Sequence, residues 1–250
     1  MKTKPIPLTV EVCFCPLLFP HILTKENYIV VVVDIWRATT SICTAFAHQV
    51  KEIIPVAGSN LAKEYKQKGY LVASECNGKR EDFADFGNSA FNFMKAELKG
   101  KTIVYNTTNG TQAIILASKN SSAVVIGAFS NLHALGEYLL KQNKNVVILC
   151  SGWKNKFCLE DSLFAGALSE YLLGSALFKS ECDSAKASLL LYQSAKNDLL
   201  GFSPHAVHFH RLHERGLEEI IPYSLLLDSC PVVPIMKENK LILESALLEI

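Results

Sequence analysis

Carboxylates, a guanidinium and hydroxyl groups cluster in this chain directly behind short apolar runs, and that placement suggests chemistry. In "VVVDIWRATTS" (residues 31–41) buried-type valines lead into Asp34, Arg37, Thr39, Thr40 and Ser41. In "SECNGKREDFADFGNS" (74–89) Glu75 follows a second such run, with Asp85, Asn88 and Ser89 behind it. "NTTNGT" (106–111) brings Thr108, Asn109, Gly110 and Thr111, and "SGWKNKFCLED" (151–161) ends in Glu160 and Asp161. Amides and hydroxyls at a strand-to-helix turn hold oxyanions well. Acids beside such a turn would repel an anion unless a cation lay between them, and oxygen-only ligands suit Mg²⁺. A metal-assisted phosphate reaction is the chemical class this describes. Each cluster taken singly also reads as ordinary capping or dipole complementation. Their recurrence at equivalent places favours one shared crevice.

The elements that must position these groups follow from the spacing of apolar residues. β-Branched runs at Leu8–Phe14, Tyr28–Val33, Glu52–Val56, Tyr70–Ser74, Thr102–Tyr105, Ala123–Ile126 and Val146–Cys150 predict strands. Helical spacing predicts helices over Ala38–His48, Asn60–Lys68, Ala90–Leu98, Thr111–Lys119 and Asn131–Gln142. The alternation implies an α/β fold: a three-layer α/β/α sandwich around a mostly parallel, mixed sheet. The C-terminal hundred residues are more helical (Asp161–Leu173, Ala185–Leu199, Pro204–Arg215) and end in a short closing strand pair, Val232–Met236 with Leu241–Leu243. No repeat or linker divides residues 1–250, which are expected to form a single domain, two closely packed lobes being the alternative. In open α/β sheets ligands gather at the carboxyl ends of the strands, where all four clusters fall.

Composition excludes several function classes. With 25 basic and 24 acidic side chains the formal charge is +1, so no long nucleic acid is expected as a partner. No apolar run reaches the roughly 20 residues that span a bilayer. Pro16, Pro20 and Glu11 interrupt any signal-like core behind Lys2 and Lys4, and a cytoplasmic protein is expected. The eight cysteines show no Cys-x-x-Cys pairing and read as reduced, buried thiols. A cysteine phosphatase built on Cys150 would need arginine at the position of Lys156. His205, His208, His210 and His213 spread around a helix and read as a solvated face, so no histidine receives a catalytic role.

"VDIWRATTS", "ECNG", "DFGNS", "TTNGT" and "LEDSLFAG" occur in the order and at about the spacing that characterise the 2-phosphosulfolactate phosphatases, and the chain resembles that family over residues from about 30 to 170, more loosely around "LLLDSCPVVPIM". The resemblance implies a Mg²⁺-dependent acid phosphatase that hydrolyses 2-phospho-3-sulfolactate to 3-sulfolactate and phosphate, a step of coenzyme M synthesis. The matching motifs contain Asp34, Arg37, Glu75 and Asp161, and their chemistry makes these the expected catalytic residues. Thr39, Thr40, Asn88, Ser89, Thr108, Asn109, Gly110 and Thr111 would bind a small anionic phosphate-ester substrate. Mg²⁺ would be drawn from Asp34, Glu75, Asp85, Glu160 and Asp161. Two departures stand out: Cys76 occupies a position where the family usually carries arginine, and Trp36 one where it often carries leucine. Direct attack by water is the expected mechanism, with Asp34 as covalent nucleophile the rival; the second aspartate that such a nucleophile wants two residues on is here Trp36. A phosphatase for another small ester and a non-catalytic binder of phosphorylated or sulfonated metabolites are the alternative functions, and the oligomeric state is open.

Overall fold

A computed structural model describes residues 7–22 and 27–247; Lys2 and Lys4, used above to weigh a signal segment, lie outside the described residues. Among the described residues eleven strands form one mixed sheet: β1 (Leu8–Cys13), β2 (Tyr28–Val33), β3 (Glu52–Val56), β4 (Leu71–Cys76), β5 (Lys79–Arg80), β6 (Thr102–Asn106), β7 (Ala123–Gly127), β8 (Asn145–Cys150), β9 (Phe178–Lys179), β10 (Pro234–Lys237) and β11 (Lys240–Leu243). Helices cover it: α1 (Ala38–Ala47), α2 (Ser59–Gln67), α3 (Ala90–Phe93), α4 (Gly110–Asn120), α5 (Leu132–Gln142), α6 (Leu159–Leu173), α7 (Asp183–Ala195), α8 (Leu199–Phe202), α9 (Val207–His213) and α10 (Ile220–Ser224). The α/β architecture with a mostly parallel, mixed sheet is as expected.

The central strand β2 shows why. All six residues of "YIVVVV" are buried, because parallel neighbours β7 and β8 flank it and helices cover both faces. Along the sheet the order is β5-β4-β6-β3-β11-β10-β7-β2-β8-β1-β9. Within β4-β6-β3 and within β7-β2-β8-β1-β9 every contact is parallel. The C-terminal pair does not close an edge. It inserts as an antiparallel hairpin between the two parallel sets, joining Leu241 to Ile53 and Ile235 to Val125. Glu238 and Asn239, both at positive φ, make the two-residue turn whose twist matches its strands.

Three antiparallel junctions in succession reverse the sense of β6 relative to β2, yet the ends of both strands meet. Sheet twist accounts for this: about 20–25° per strand step, over the five steps from β2 to β6, amounts to roughly 100–125°. Twist of that size turns the two strands well away from strict opposition. The turn at the start of α4 comes to rest on Asp34: a Cβ built on Gly110 would lie 2.5 Å from the Ala38 Cβ and 2.8 Å from Asp34 Oδ2. Only glycine permits that approach.

Smaller differences have local causes. The helix expected over Ala90–Leu98 divides into α3 and a separate 3₁₀ turn at Ala96–Leu98, with Lys95 extended between them. Asp198 accepts a hydrogen bond from the Gly201 amide and starts α8, which ends the long helix expected over Ala185–Leu199 at Ala195. β5 and β9, two residues each, are too short to show any period.

Candidate active site

Asp34 leaves β2 at its carboxyl end, and the loop that follows is locked by its own hydroxyls. Thr39 Oγ1 accepts from the Asp34 amide at 3.0 Å, and Thr40 Oγ1 donates to the Ile35 carbonyl at 2.9 Å. Both threonines shape the loop: the Thr40 hydroxyl proton is spent on the Ile35 carbonyl, whereas Thr39 uses only its oxygen as an acceptor. Asp34 itself accepts only a 3.3 Å bond from the Ala38 amide through Oδ1. Its carboxylate faces a cleft shared with Trp36, Arg37, Glu75, Gly78, Asn88, Asn109, Gly152, Trp153, Glu160, Asp161, His208, Arg211 and Arg215. Residues from all four clusters converge here, joined by a fifth segment that carries His208, Arg211 and Arg215.

The acids of the cleft divide by how fully they are already used. Asp161 spends both oxygens on backbone: Oδ1 accepts from the Ile35 amide at 2.9 Å and Oδ2 from the Gly152 amide at 3.0 Å. It ties the loop behind β2 to the loop behind β8. Glu75 is similarly occupied, accepting from the Gly78 amide at 2.5 Å, the Thr108 amide at 2.7 Å and the Thr108 hydroxyl at 3.1 Å. Both carboxylates lie in the cleft, but their geometry is that of fasteners between loops. Glu160 is buried and paired through one oxygen with His208 Nδ1 at 2.6 Å. Asp34 Oδ2 and Glu160 Oε2 remain without hydrogen bonds among the described residues.

Asp85 goes elsewhere. It pairs with Lys66 at 2.6 Å and accepts from the Val72 amide at 2.8 Å, in a separate cavity with Leu71 and Thr102 at the amino ends of β4 and β6. Those partners hold its carboxyl below the ordinary aspartate range in spite of partial burial, which acts to raise it. The expected metal ligand Asp85 does not line the cleft: it is tied to Val72, three residues before Glu75 on β4, and borders the neighbouring pocket that shares Arg37, Gly78 and Asn88 with the cleft. Ser89 lines a neighbouring pocket together with Arg37 and Asn88, and Asn88 accepts from the buried Tyr105 hydroxyl.

The turn before α4 is likewise partly committed. Thr108 serves Glu75, and Thr111 exchanges bonds with Thr107 through both amides and both hydroxyls. Asn109 Oδ1 accepts from the Lys154 amide. The amides of Asn109 and Gly110 have no partner among the described residues, which leaves these two, of the four expected anion-binding positions, free to act. Arg37 donates to the Gly78 carbonyl at 3.1 Å.

Electrostatics mark the same place. Burial pushes the Asp34 carboxyl up to about 6, with the charges of Glu75 and Glu160 adding and His208 and the Ala38 amide opposing. Burial, then Glu160 and Asp34, hold Asp161 well above the ordinary carboxylate range. Mutually repelling acids with free oxygens are a donor set that fits Mg²⁺. Among the described residues no three His, Cys, Asp or Glu side chains converge to hold a metal by themselves. One or two carboxylates, completed by water and substrate oxygens, are the usual protein share of a Mg²⁺ shell.

The C-terminal segment contributes groups that the sequence reading missed. His208, Arg211 and Arg215 reach the cleft, whereas the four histidines had read as a solvated face. Their spacing carried the signal: 208, 211, 212 and 215 form an i, i+3, i+4, i+7 stripe, with buried Leu212 as its anchor. His208 stands between two indoles, its ring centroid 5.9 Å from each of Trp36 and Trp153. Arg211 lies over the Trp153 ring at 4.5 Å, and Arg215 donates to the Asn77 carbonyl at 2.5 Å. The cleft they close is tight, with a free interior of about 20 Å³, room for about one water.

Comparison with known proteins accords with this geometry. The family described as 2-phosphosulpholactate phosphatase matches residues 14–239. This chain belongs to the 2-phosphosulfolactate phosphatase family. It is thereby a phosphoric monoester hydrolase. A probable 2-phosphosulfolactate phosphatase of Caldanaerobacter subterraneus subsp. tengcongensis is 37% identical over 221 residues, covering 87% of this chain and 90% of the relative. Proteins of the same printed name from Thermotoga maritima (34% over 214 residues, covering 86% and 91%) and Clostridium acetobutylicum (30% over 213 residues, covering 84% and 89%) are further relatives. Family matching thus extends well beyond residues 30–170, into the segment that carries His208, Arg211 and Arg215.

Proposed function

We propose that the chain is a Mg²⁺-dependent phosphatase that hydrolyses 2-phospho-3-sulfolactate to 3-sulfolactate and inorganic phosphate, as in coenzyme M synthesis. The observation that carries this reading is the meeting of Asp34 and Glu160, each with a free oxygen, with Arg37 and Asn109 in one cleft, with Gly110 packed against Asp34 at its side. Asp34 and Glu160 would hold the ion, which supplies positive charge to the phosphoryl oxygens and to the developing negative charge of the reaction. His208 fixes Glu160 in orientation. Arg37 and the Asn109 and Gly110 amides bind the remaining phosphoryl oxygens, and the macrodipole of α4 favours their negative charge.

Asp161 and Glu75 act one step away by fastening the four loops, so that these groups keep their positions when charge shifts in the transition state. Asp34 orients the attacking water for in-line displacement, and most of the acceleration comes from positioning and charge stabilisation. Arg37 and Arg215 hold the Asn77–Gly78 turn at the cleft through its two carbonyls.

The test is phosphate release by purified protein from 2-phospho-3-sulfolactate and from a general phosphate monoester, with Mg²⁺ and with EDTA. Release from the sulfonated ester that EDTA abolishes is the expected result. Release only from other esters would assign a different substrate, and no release from any ester would indicate a binder. A trapped phosphoryl group on Asp34 would replace water attack with covalent catalysis.

A further inference from the structure

The phosphate-binding groups do not account for every cation in the cleft. Arg211 enters none of the ion pairs of the described residues. Its Nε is buried without a hydrogen-bond partner, and its guanidinium is held face-on against Trp153. Across the same cleft Trp36 is 3% exposed, and its indole Nε1 is also buried and unpartnered. Leaving a buried N–H unpaired forfeits its hydration without return. Two such donors, from the loop behind β2 and from α9, belong to residues that line one cleft. Both would be satisfied by an oxygen-rich anion placed between them.

We propose that Arg211 and Trp36 form a second anion subsite, separate from the phosphate groups, that binds the sulfonate of the substrate and sets selectivity for sulfonated esters. This rests on the phosphatase reading above and deepens it. A sulfonate presents three oxygens in a pyramidal array, which an arginine fork and an indole N–H can engage from different sides; a carboxylate presents two in a plane. Cys76, at the position where an arginine was expected, is exposed at the end of β4 and brings no cation. The charge comes instead from α9, on the other wall. The stacked indole of Trp153 fixes the guanidinium in advance, so little of its rotamer freedom is lost on binding.

The test compares 2-phospho-3-sulfolactate with 2-phospholactate, which lacks only the sulfonate. The wild-type protein is expected to prefer the sulfonated ester by about 10- to 100-fold in kcat/KM, the range of a hydrogen bond to a charged group. In Arg211→Met this preference should fall to within threefold, mainly through KM; Arg211→Lys should restore part of it, and Trp36→Phe should fall between. A preference that survives Arg211→Met, or an equal loss on both esters, overturns the subsite while leaving the phosphatase reading intact. If the wild-type protein hydrolyses neither ester, that reading fails, and calorimetric binding of 3-sulfolactate decides the subsite alone. Binding lost in Arg211→Met supports it; equal binding by both proteins, or none by the wild type, overturns it.

Discussion

Asp34 is held in its protonated form more readily in the folded chain than in the unfolded one, because burial and the neighbouring Glu75 and Glu160 charges raise it from the ordinary 3.8 to about 6. The sign follows directly. Between about pH 4 and 6 the unfolded chain gives up this proton and the native chain keeps it, so stability declines as pH rises through that window and stays lower above it. In metal-free protein Asp34→Asn should therefore be more stable than wild type at pH 8, by about 1–3 kcal/mol, and indistinguishable near pH 3.5. Urea unfolding at the two pH values measures this, and a variant less stable at pH 8 would contradict it. At this scale the sequence was legible where a carboxylate follows a buried strand. It was opaque for Thr39, Thr40 and Thr111, since a hydroxyl that closes its own loop and one that faces a ligand have the same sequence signature. Nor did it show that Asp85 pairs with Lys66, 19 residues away on α2.

The strands and the helices between them were legible because their apolar periods are long enough to count: β2 and β3 match the expected bounds, and β6 and β8 each extend them by one residue. What the pattern could not show was where the last two strands insert. Pairing partners of a hairpin are chosen by long-range burial, and nothing local in "PIMKENKLIL" says that β10 meets β7 and β11 meets β3. Leu241 is completely buried at that seam. Leu241→Ala should cost about 2–4 kcal/mol by removing its packing and leave one cooperative unfolding transition by circular dichroism and by tryptophan fluorescence. Two separated transitions would show that the hairpin does not unite the two parallel sets. The same limit explains the missed stripe of α9, whose face could be read as water-facing or cleft-facing until its neighbours were known.

Across the whole molecule, a formal charge of +1 hides a concentrated site in which Asp34, Glu160 and Asp161 face Arg37, Arg211 and Arg215. Net charge excluded a nucleic-acid partner class in the reading of the sequence but could not reveal this local balance. No helix among the described residues is long and apolar enough to cross a membrane. The twisted mixed sheet is what brings loops behind β2, β4, β6 and β8 to one place, so function depends on a global property that no single motif encodes. Asp34 and Asp85 separate the two ways of reading the acidic clusters. The decisive measurement is Mg²⁺-dependent phosphate release from 2-phospho-3-sulfolactate by wild type, Asp34→Asn and Asp85→Asn, each first confirmed as folded. The account predicts a loss of at least about a thousandfold in kcat for Asp34→Asn and a kcat within threefold of wild type for Asp85→Asn. Retained turnover without the Asp34 carboxylate, or its loss without that of Asp85, would contradict it.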